Sequence, residues 1–257
     1  MNKDHVITVD SALCNSCGLC LKDCQHDAWV ITGTGAEIIT QDCIKCGHCA
    51  AICPQNAVSI SGYDDVPEEI IRGQKPDPEA FLAMIKGRRS IRHFADQNVP
   101  TEIVEKIIEA GRYSPTGLNK QGVSYVVLRE SKDEYESIAV SLWRRLRHVA
   151  GMFIKNFRKI HVDDRYCFKG APVVIVIKSS NVSFGNLDVV DGAIAASAME
   201  LAARAYGLGA LYSGAFTNAV RLSRKLRRKL SAESKGKVIA TLLLGYPAVT
   251  YHRTAQR

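Results

Sequence analysis

The chain has 257 residues, 46% of them hydrophobic and 23% charged, with a formal net charge of +8. That composition excludes wholesale disorder and leaves room for one large domain or two unequal ones. Eight of the nine cysteines lie between Cys14 and Cys53, which excludes a disulfide framework stapling the whole chain.

Charge divides the chain in the same way. Residues 1–62 hold three Lys/Arg and six Asp/Glu, a net −3, and the remainder holds 31 and 20, a net +11. An acidic, cysteine-rich head and a basic body read as two units with separate jobs. The N-terminus is polar and lacks the apolar core of a secretory signal. The longest apolar stretches, 171–177 and 238–249, are shorter than the ~18–20 residues needed to span a bilayer. A cytoplasmic protein with reduced thiols and no membrane partner is expected.

The first cysteine set reads Cys14-x2-Cys17-x2-Cys20-x3-Cys24, and the second Cys43-x2-Cys46-x2-Cys49-x3-Cys53-Pro54. Each member of the second lies 29 positions after its counterpart, and Ala28/Ala57, Ile31/Ile60 and Gly33/Gly62 keep that offset. One supersecondary unit is therefore present twice. Three thiolates two residues apart wrap one face of an iron–sulfur cube, and the fourth leaves the loop to ligate the other cluster. Cys14, Cys17, Cys20 and Cys53 are thus expected to hold one [4Fe-4S] cluster. Cys43, Cys46, Cys49 and Cys24 would hold the second. Gly18 and Gly47 suit the tight wrap. Zinc fits poorly, because its sites separate two ligand pairs by a dozen or more residues. Residues 1–62 resemble a bacterial two-cluster ferredoxin, with Gln25 where Pro often follows Cys24. His26 and His48 are left as surface or outer-sphere residues.

Residues 61–78 are rich in Pro, Gly and charge, as linkers are; the linker is placed at 63–80, between domains 1–62 and 81–257. Asp77-Pro78 makes an N-cap and first position for a helix through Lys86 with apolar positions Phe81, Leu82 and Ile85. Then comes Arg88-Arg89-Ser90-Ile91-Arg92-His93-Phe94, rich in donors for phosphate and hydroxyl oxygens. A helix from Thr101, with Ile103, Val104, Ile107 and Ile108 on one face, stops at Ser114-Pro115. The loop 114–121 leads into a strand over 123–128. Another strand is expected over 171–177, and a helix over 188–206.

In order and spacing these pieces resemble the FMN-dependent nitroreductase family over about residues 81–257. They are the Arg-Arg-Ser-x-Arg-x-Phe segment, Ser114-Pro115 to Asn119 and Gln121, the 207–216 segment, Leu244-Gly245-Tyr246-Pro247 and Arg253. The expected fold class is α+β: a small two-cluster ferredoxin-like domain followed by a nitroreductase-type layered domain, a central sheet with surrounding helices. The resemblance implies that Arg88, Arg89, Ser90 and Arg92 bind the FMN phosphate and ribityl region. Arg253 would complete the phosphate site. Asn119 and Gln121 would hold the ring or ribityl hydroxyls, and the backbone of Ser213, Gly214 and Ala215 would approach the reactive edge. It also implies a homodimer with the small-residue helix 188–206 in its central layer.

The run 221–230 carries six basic residues, with Leu222, Leu226 and Leu230 at helical spacing. It reads as one amphipathic helix with a solvated basic face, or as a dock for an acidic donor or phosphorylated substrate. Residues 131–170 form a second basic, aromatic-studded stretch, including Trp143, Arg144, Arg145, Arg147, Phe153, Phe157, Arg158 and Tyr166. In the family this region varies and often covers the flavin, so it is expected to set substrate choice. Cys167 reads as a buried thiol, no nucleic-acid module is present, and no catalytic side chain is assigned.

The expected function is an iron–sulfur flavoprotein oxidoreductase. It passes electrons from the clusters to FMN and on to a small organic acceptor: a nitroaromatic, a quinone or an activated alkene. The donor is reduced ferredoxin or a similar low-potential carrier, with NAD(P)H as the other candidate. An electron-transfer or redox-sensing protein without small-molecule turnover is the alternative.

Overall fold

The computed structural model describes residues 6–39, 43–62, 67–71, 73, 75–154, 159–180 and 186–256. Phe157 and Arg158 lie outside the described residues, as does part of the expected linker. The chain divides into two compact units, Met1–Lys75 with Leu118–Lys120, and Pro76–Gly117 with Gln121–Arg257.

In the first unit the repeat in sequence is a repeat in backbone. Strand β1 (Ile7–Val9) pairs antiparallel with β4 (Val58–Ile60), and β2 (Trp29–Thr32) forms a hairpin with β3 (Gly35–Ile38). Helices α1 (Leu19–Asp23) and α2 (His48–Ile52) start from Gly18 and Gly47, both left-handed at φ 71° and 79°. Ser16/Lys45 and Asp27/Asn56 repeat the left-handed turns at the same offset. The core between the two copies is small: Cys20, Cys49, Ala28, Trp29, Ala36 and Val58.

The second unit is built on an antiparallel sheet of order β5-β6-β8-β7, namely Val123–Leu128, Val173–Ser179, Lys237–Gly245 and Gly209–Tyr212. Every residue of β6 is buried. Val173, Ile175 and Ile177 face one core with Leu242 and Leu244 of β8, and Val174 and Val176 face the other with Leu243. Burial on both faces is why these strands read as continuous apolar runs rather than alternating ones. Each such side chain contributes about 1.5–3 kcal/mol of transfer free energy.

The first of those cores is closed by α4 (Thr101–Arg112), through Val104 and Ile107, and by α6 (Leu187–Ala205), through Ala196, Met199 and Ala203. The second is closed by α5 (Lys132–Phe153), α7 (Gly214–Leu222) and α8 (Arg224–Glu233), through Tyr135, Phe216, Leu226 and Leu230. Helix, sheet and helix layers make this unit α+β.

One expectation is corrected. The run 221–230 is not one helix: α7 ends at Leu222, and Ser223 caps α8, its hydroxyl accepting from Leu226 N at 3.2 Å. A serine that can cap competes with helix continuation, so Leu222 is left 60% exposed while Leu226 and Leu230 are buried. Helix α3 (Pro78–Lys86) is capped by Asp77 as expected, yet Phe81, Leu82 and Ile85 remain exposed. Helix α6, small on nearly every side, is covered on one side only; Leu187, Val190 and Ile194 stay exposed.

Lys178 was not foreseen. It lies in β6 with 1% exposure, and its ammonium donates to the carbonyls of Leu230, at 3.0 Å, and Ser234. These lie in the last turn and C-cap of α8, where a cation is favoured; the Leu230 carbonyl also accepts from Ser234 N at 3.1 Å. Burial lowers the pKa of this lysine.

Candidate functional site

In the cysteine-rich unit, Cys14, Cys17, Cys20 and Cys53 ring one concave site together with Gly18, Ala36, Ala57 and Val58. The cavity among them is about 20 Å³. This is the three-plus-one set expected from the interleaved spacing, with the fourth thiol supplied by the other copy. In the second set, Cys43 and Cys46 act electrostatically on Cys49. Backbone N–H groups point at sulfur in both sets, Ala57 N to Cys53 Sγ and Lys45 N to Cys43 Sγ, each at 3.3 Å.

Burial raises the pKa of Cys20 and pushes Cys49 up to about 11, with neighbouring cysteines adding to both. Among the described residues no three His, Cys, Asp or Glu side chains converge on a single-ion site. His26 and His48 are both exposed.

In the second unit the arginine segment is laid along the edge of the sheet. Ser90 bridges Ala210 of β7, and Ile91 N donates to Ala210 O at 3.0 Å. Phe94 bridges Pro247, and Ala248 N donates to His93 O at 2.9 Å. Arg89 stacks over the Tyr251 ring at 5.2 Å, so the chain end carrying Arg253 runs beside the arginine segment. Gly209 makes this approach possible, because a Cβ there would meet Ile91 Cγ1 at 2.4 Å.

Arg88 is paired with Glu200 of α6 at 2.9 Å, and Tyr212 shares the same carboxylate. Burial, and then the Glu200 charge, raise the Tyr212 pKa. Glu200 carries no signal in the sequence, where it sits inside a helix dominated by alanines.

Strand β7 then delivers the chain into α7. Ser213 is buried: its N–H goes to Thr241 O at 2.8 Å, and its hydroxyl donates to Cys167 O at 2.6 Å while accepting from Phe216 N at 3.2 Å. Thr217 N is taken by Ser213 O. Of the four leading amides of α7, those of Gly214 and Ala215 are left without an acceptor among the described residues. Gly214 is exposed, and nothing lies within 4 Å of the position a Cβ would occupy there. An open helix N-terminus suits an anionic, hydrogen-bonding ligand.

The 114–121 loop is irregular, with Leu118, Asn119 and Gln121 all left-handed. Asp191 of α6 holds it by accepting from Gly117 N at 3.0 Å, and its other carboxylate oxygen is buried without a partner among the described residues. Gln121 N donates to Thr116 Oγ1. The Asn119 amide donates to Lys45 O at 2.7 Å, both residues belonging to the first unit. Cys167 is buried as expected, and burial pushes its thiol up to about 12.

The nitroreductase family profile matches residues 85–246, and the 4Fe-4S dicluster domain profile matches residues 13–58. A protein of Methanothermobacter thermautotrophicus bearing the name NADH dehydrogenase/NAD(P)H nitroreductase is 30% identical over 169 residues, 65% of this chain and 77% of that protein. One component of an ion-translocating oxidoreductase complex from Methanosarcina acetivorans is 43% identical over 47 residues, 18% of each chain. A nitroreductase with bound FMN from Desulfitobacterium hafniense superposes with a TM-score of 0.58 at 21% identity, covering 69% of this chain and 94% of that one. The family match makes the chain an oxidoreductase of the nitroreductase type. The chain belongs to the nitroreductase family and carries a 4Fe-4S dicluster ferredoxin domain ahead of it.

Proposed function

We propose that this protein is an iron–sulfur flavoprotein that takes electrons from a low-potential donor and reduces a small organic acceptor. Domain 1–62 would hold two [4Fe-4S] clusters on the eight cysteines, 63–80 would connect, and 81–257 would hold FMN. When bound, the clusters supply one-electron transfer and FMN converts single electrons into the two-electron reduction of an acceptor. The observation that carries the reading is that the arginine segment pairs with edge strand β7 at Ala210 and meets the chain end at Tyr251, while the same strand leads into the open Gly214–Ala215 amides.

Arg88, Arg89, Ser90, Arg92 and Arg253 would bind the phosphate and ribityl region, their guanidinium forks giving charge-assisted hydrogen bonds. Arg88 would keep Glu200 as its anchor. Gly214 and Ala215 would donate to the reactive edge of the ring, and Ser213 would act from behind them, its own polar groups being already used. Asn119 and Gln121 would bind ring or ribityl hydroxyls, as the family resemblance implies.

The acceptor class is a nitroaromatic, quinone or activated alkene. Reduced ferredoxin is favoured as donor because a built-in ferredoxin domain accepts electrons singly at low potential, and NAD(P)H is the competing donor. A homodimer accounts for the exposed apolar residues of α3 and α6. Among the described residues no helix is long and apolar enough to cross a membrane, and eight cysteines given to cluster ligation, not to disulfides, suit a reducing cytoplasm.

The deciding experiment is anaerobic reduction of the purified full-length protein by NADH, NADPH and reduced ferredoxin, side by side. The flavin band should bleach fastest with ferredoxin and return on adding a nitroaromatic. Equal rates with NADH and ferredoxin would remove the donor preference, and absence of a flavin band would refute the function.

A further inference from the structure

A hydrogen-bond network runs from α5 to the backbone around Gly214 and Ala215. It starts on α5, where Glu136 and Trp143 are seven residues apart and so lie on one face of the helix. Glu136 is buried, and its Oε1 accepts from Cys167 N at 3.0 Å and Phe168 N at 2.7 Å. The Cys167 carbonyl accepts from Ser213 Oγ, which in turn accepts from Phe216 N. Two turns further along α5, the Trp143 indole N–H donates to Ala215 O at 2.9 Å. The indole is itself braced edge-on by Tyr166 at 6.0 Å. Phe168 packs on Phe216 at 4.7 Å, so the turn before α7 is gripped by hydrogen bonds and by ring contact.

Glu136 Oε1, the Ser213 hydroxyl and the Trp143 indole N–H are all engaged within this network. A carboxyl oxygen accepting two successive backbone N–H groups ties down the 166–168 backbone in addition to packing. Such second-layer contacts decide whether a backbone donor lies within the narrow tolerance that ligand binding demands.

We propose that Glu136 and Trp143 are positioning residues, which set the direction of the Gly214 and Ala215 amides through Cys167, Ser213 and Ala215 O. This rests on the reading that those amides face the flavin ring. Their effect should therefore fall on how tightly FMN is held and on how well its reduced form is stabilised, not on folding alone.

The test compares full-length wild type with Trp143→Phe, Glu136→Met and Glu136→Gln. Two quantities are measured: the FMN dissociation constant from flavin fluorescence, and the two-electron midpoint potential of bound FMN. Trp143→Phe and Glu136→Met should each weaken FMN binding about tenfold, or lower the potential by about 30 mV, the two-electron equivalent of tenfold. Glu136→Gln, which keeps an acceptor oxygen, should stay within about twofold of wild type. The proposal is overturned if Trp143→Phe, folded by circular dichroism, matches wild type in both quantities. It is equally overturned if Glu136→Gln falls as far as Glu136→Met. Should Glu136→Met fail to fold, Trp143→Phe decides. Wild type that binds no FMN refutes the proposed function and this inference with it, whereas variants that match an FMN-binding wild type refute this inference alone.

Discussion

Gly209 offers a sharp test of how the arginine segment is seated. A Cβ built there would lie 2.4 Å from Ile91 Cγ1, 2.9 Å from its Cβ and 3.1 Å from its Cγ2. Rotating the Ile91 side chain relieves the first contact but not the second, since the Cβ moves only with the backbone. Reaching ordinary contact at 3.4 Å would push Ile91 back by about 0.5 Å. That strains its hydrogen bond to Ala210 O, and Ile91 is only 5% exposed, with little room behind it.

Overpacking of this kind costs about 1–3 kcal/mol. For a unit of this size that lowers the melting temperature by about 2–10 °C. Gly209→Ala should show this fall by differential scanning calorimetry and should also release FMN more readily, because Ser90 and Arg92 flank Ile91. Ile91→Ala removes both Cγ atoms, so the double variant should be more stable than the summed single costs predict, by at least about 1 kcal/mol. Strictly additive costs, or a Gly209→Ala protein as stable as wild type, would show that the close approach is not what seats the segment.

Three further outcomes are expected. Cys53→Ser should strip the cluster set that includes Cys14, Cys17 and Cys20, and Cys24→Ser the other. Each would lose about four irons and keep about four by iron assay, and loss of all iron or none from both would refute the interleaved pairing. Ser223→Ala should cost about 1 kcal/mol by removing the cap of α8, while Ser223→Asp should retain most of it; equal losses in urea unfolding would argue against capping. Burial raises the pKa of Glu136, against the lowering effect of the two backbone N–H groups and with small additions from Asp133 and Asp163. A raised carboxyl favours its protonated form in the fold, so its contribution to stability is complete below the ordinary glutamate range and is lost as pH rises through the raised value. Wild type should therefore lose stability over that interval relative to Glu136→Gln, and a difference in melting temperature that is flat or reversed would refute the assignment.

Much of the site was legible because its chemistry is local. Cysteine spacing fixes which thiols share a loop, and an Asp-Pro pair or a Ser-Pro pair marks a helix boundary by its own backbone preferences. The break at Ser223 was missed because leucine spacing continues across it, and only the competition between a side-chain cap and the next helical bond ends α7. Glu136, Glu200 and Lys178 were missed because a charge in a helix or strand pattern looks solvated until its burial is known. Their partners are 31, 112 and 52 residues away, beyond the reach of any local motif.

The sequence by itself therefore determined the two-unit organisation and the family, and it marked the two interleaved cysteine sets and the arginine segment as candidate sites. Those follow from composition and from short spacings that chain geometry cannot rearrange. Only the tertiary structure decided that Ser213 serves as a cap, that Gly214 and Ala215 keep their amides open, and that Arg88 is anchored by Glu200. Each depends on which backbone and side-chain groups find partners across the fold, and that allocation is set when the layers pack.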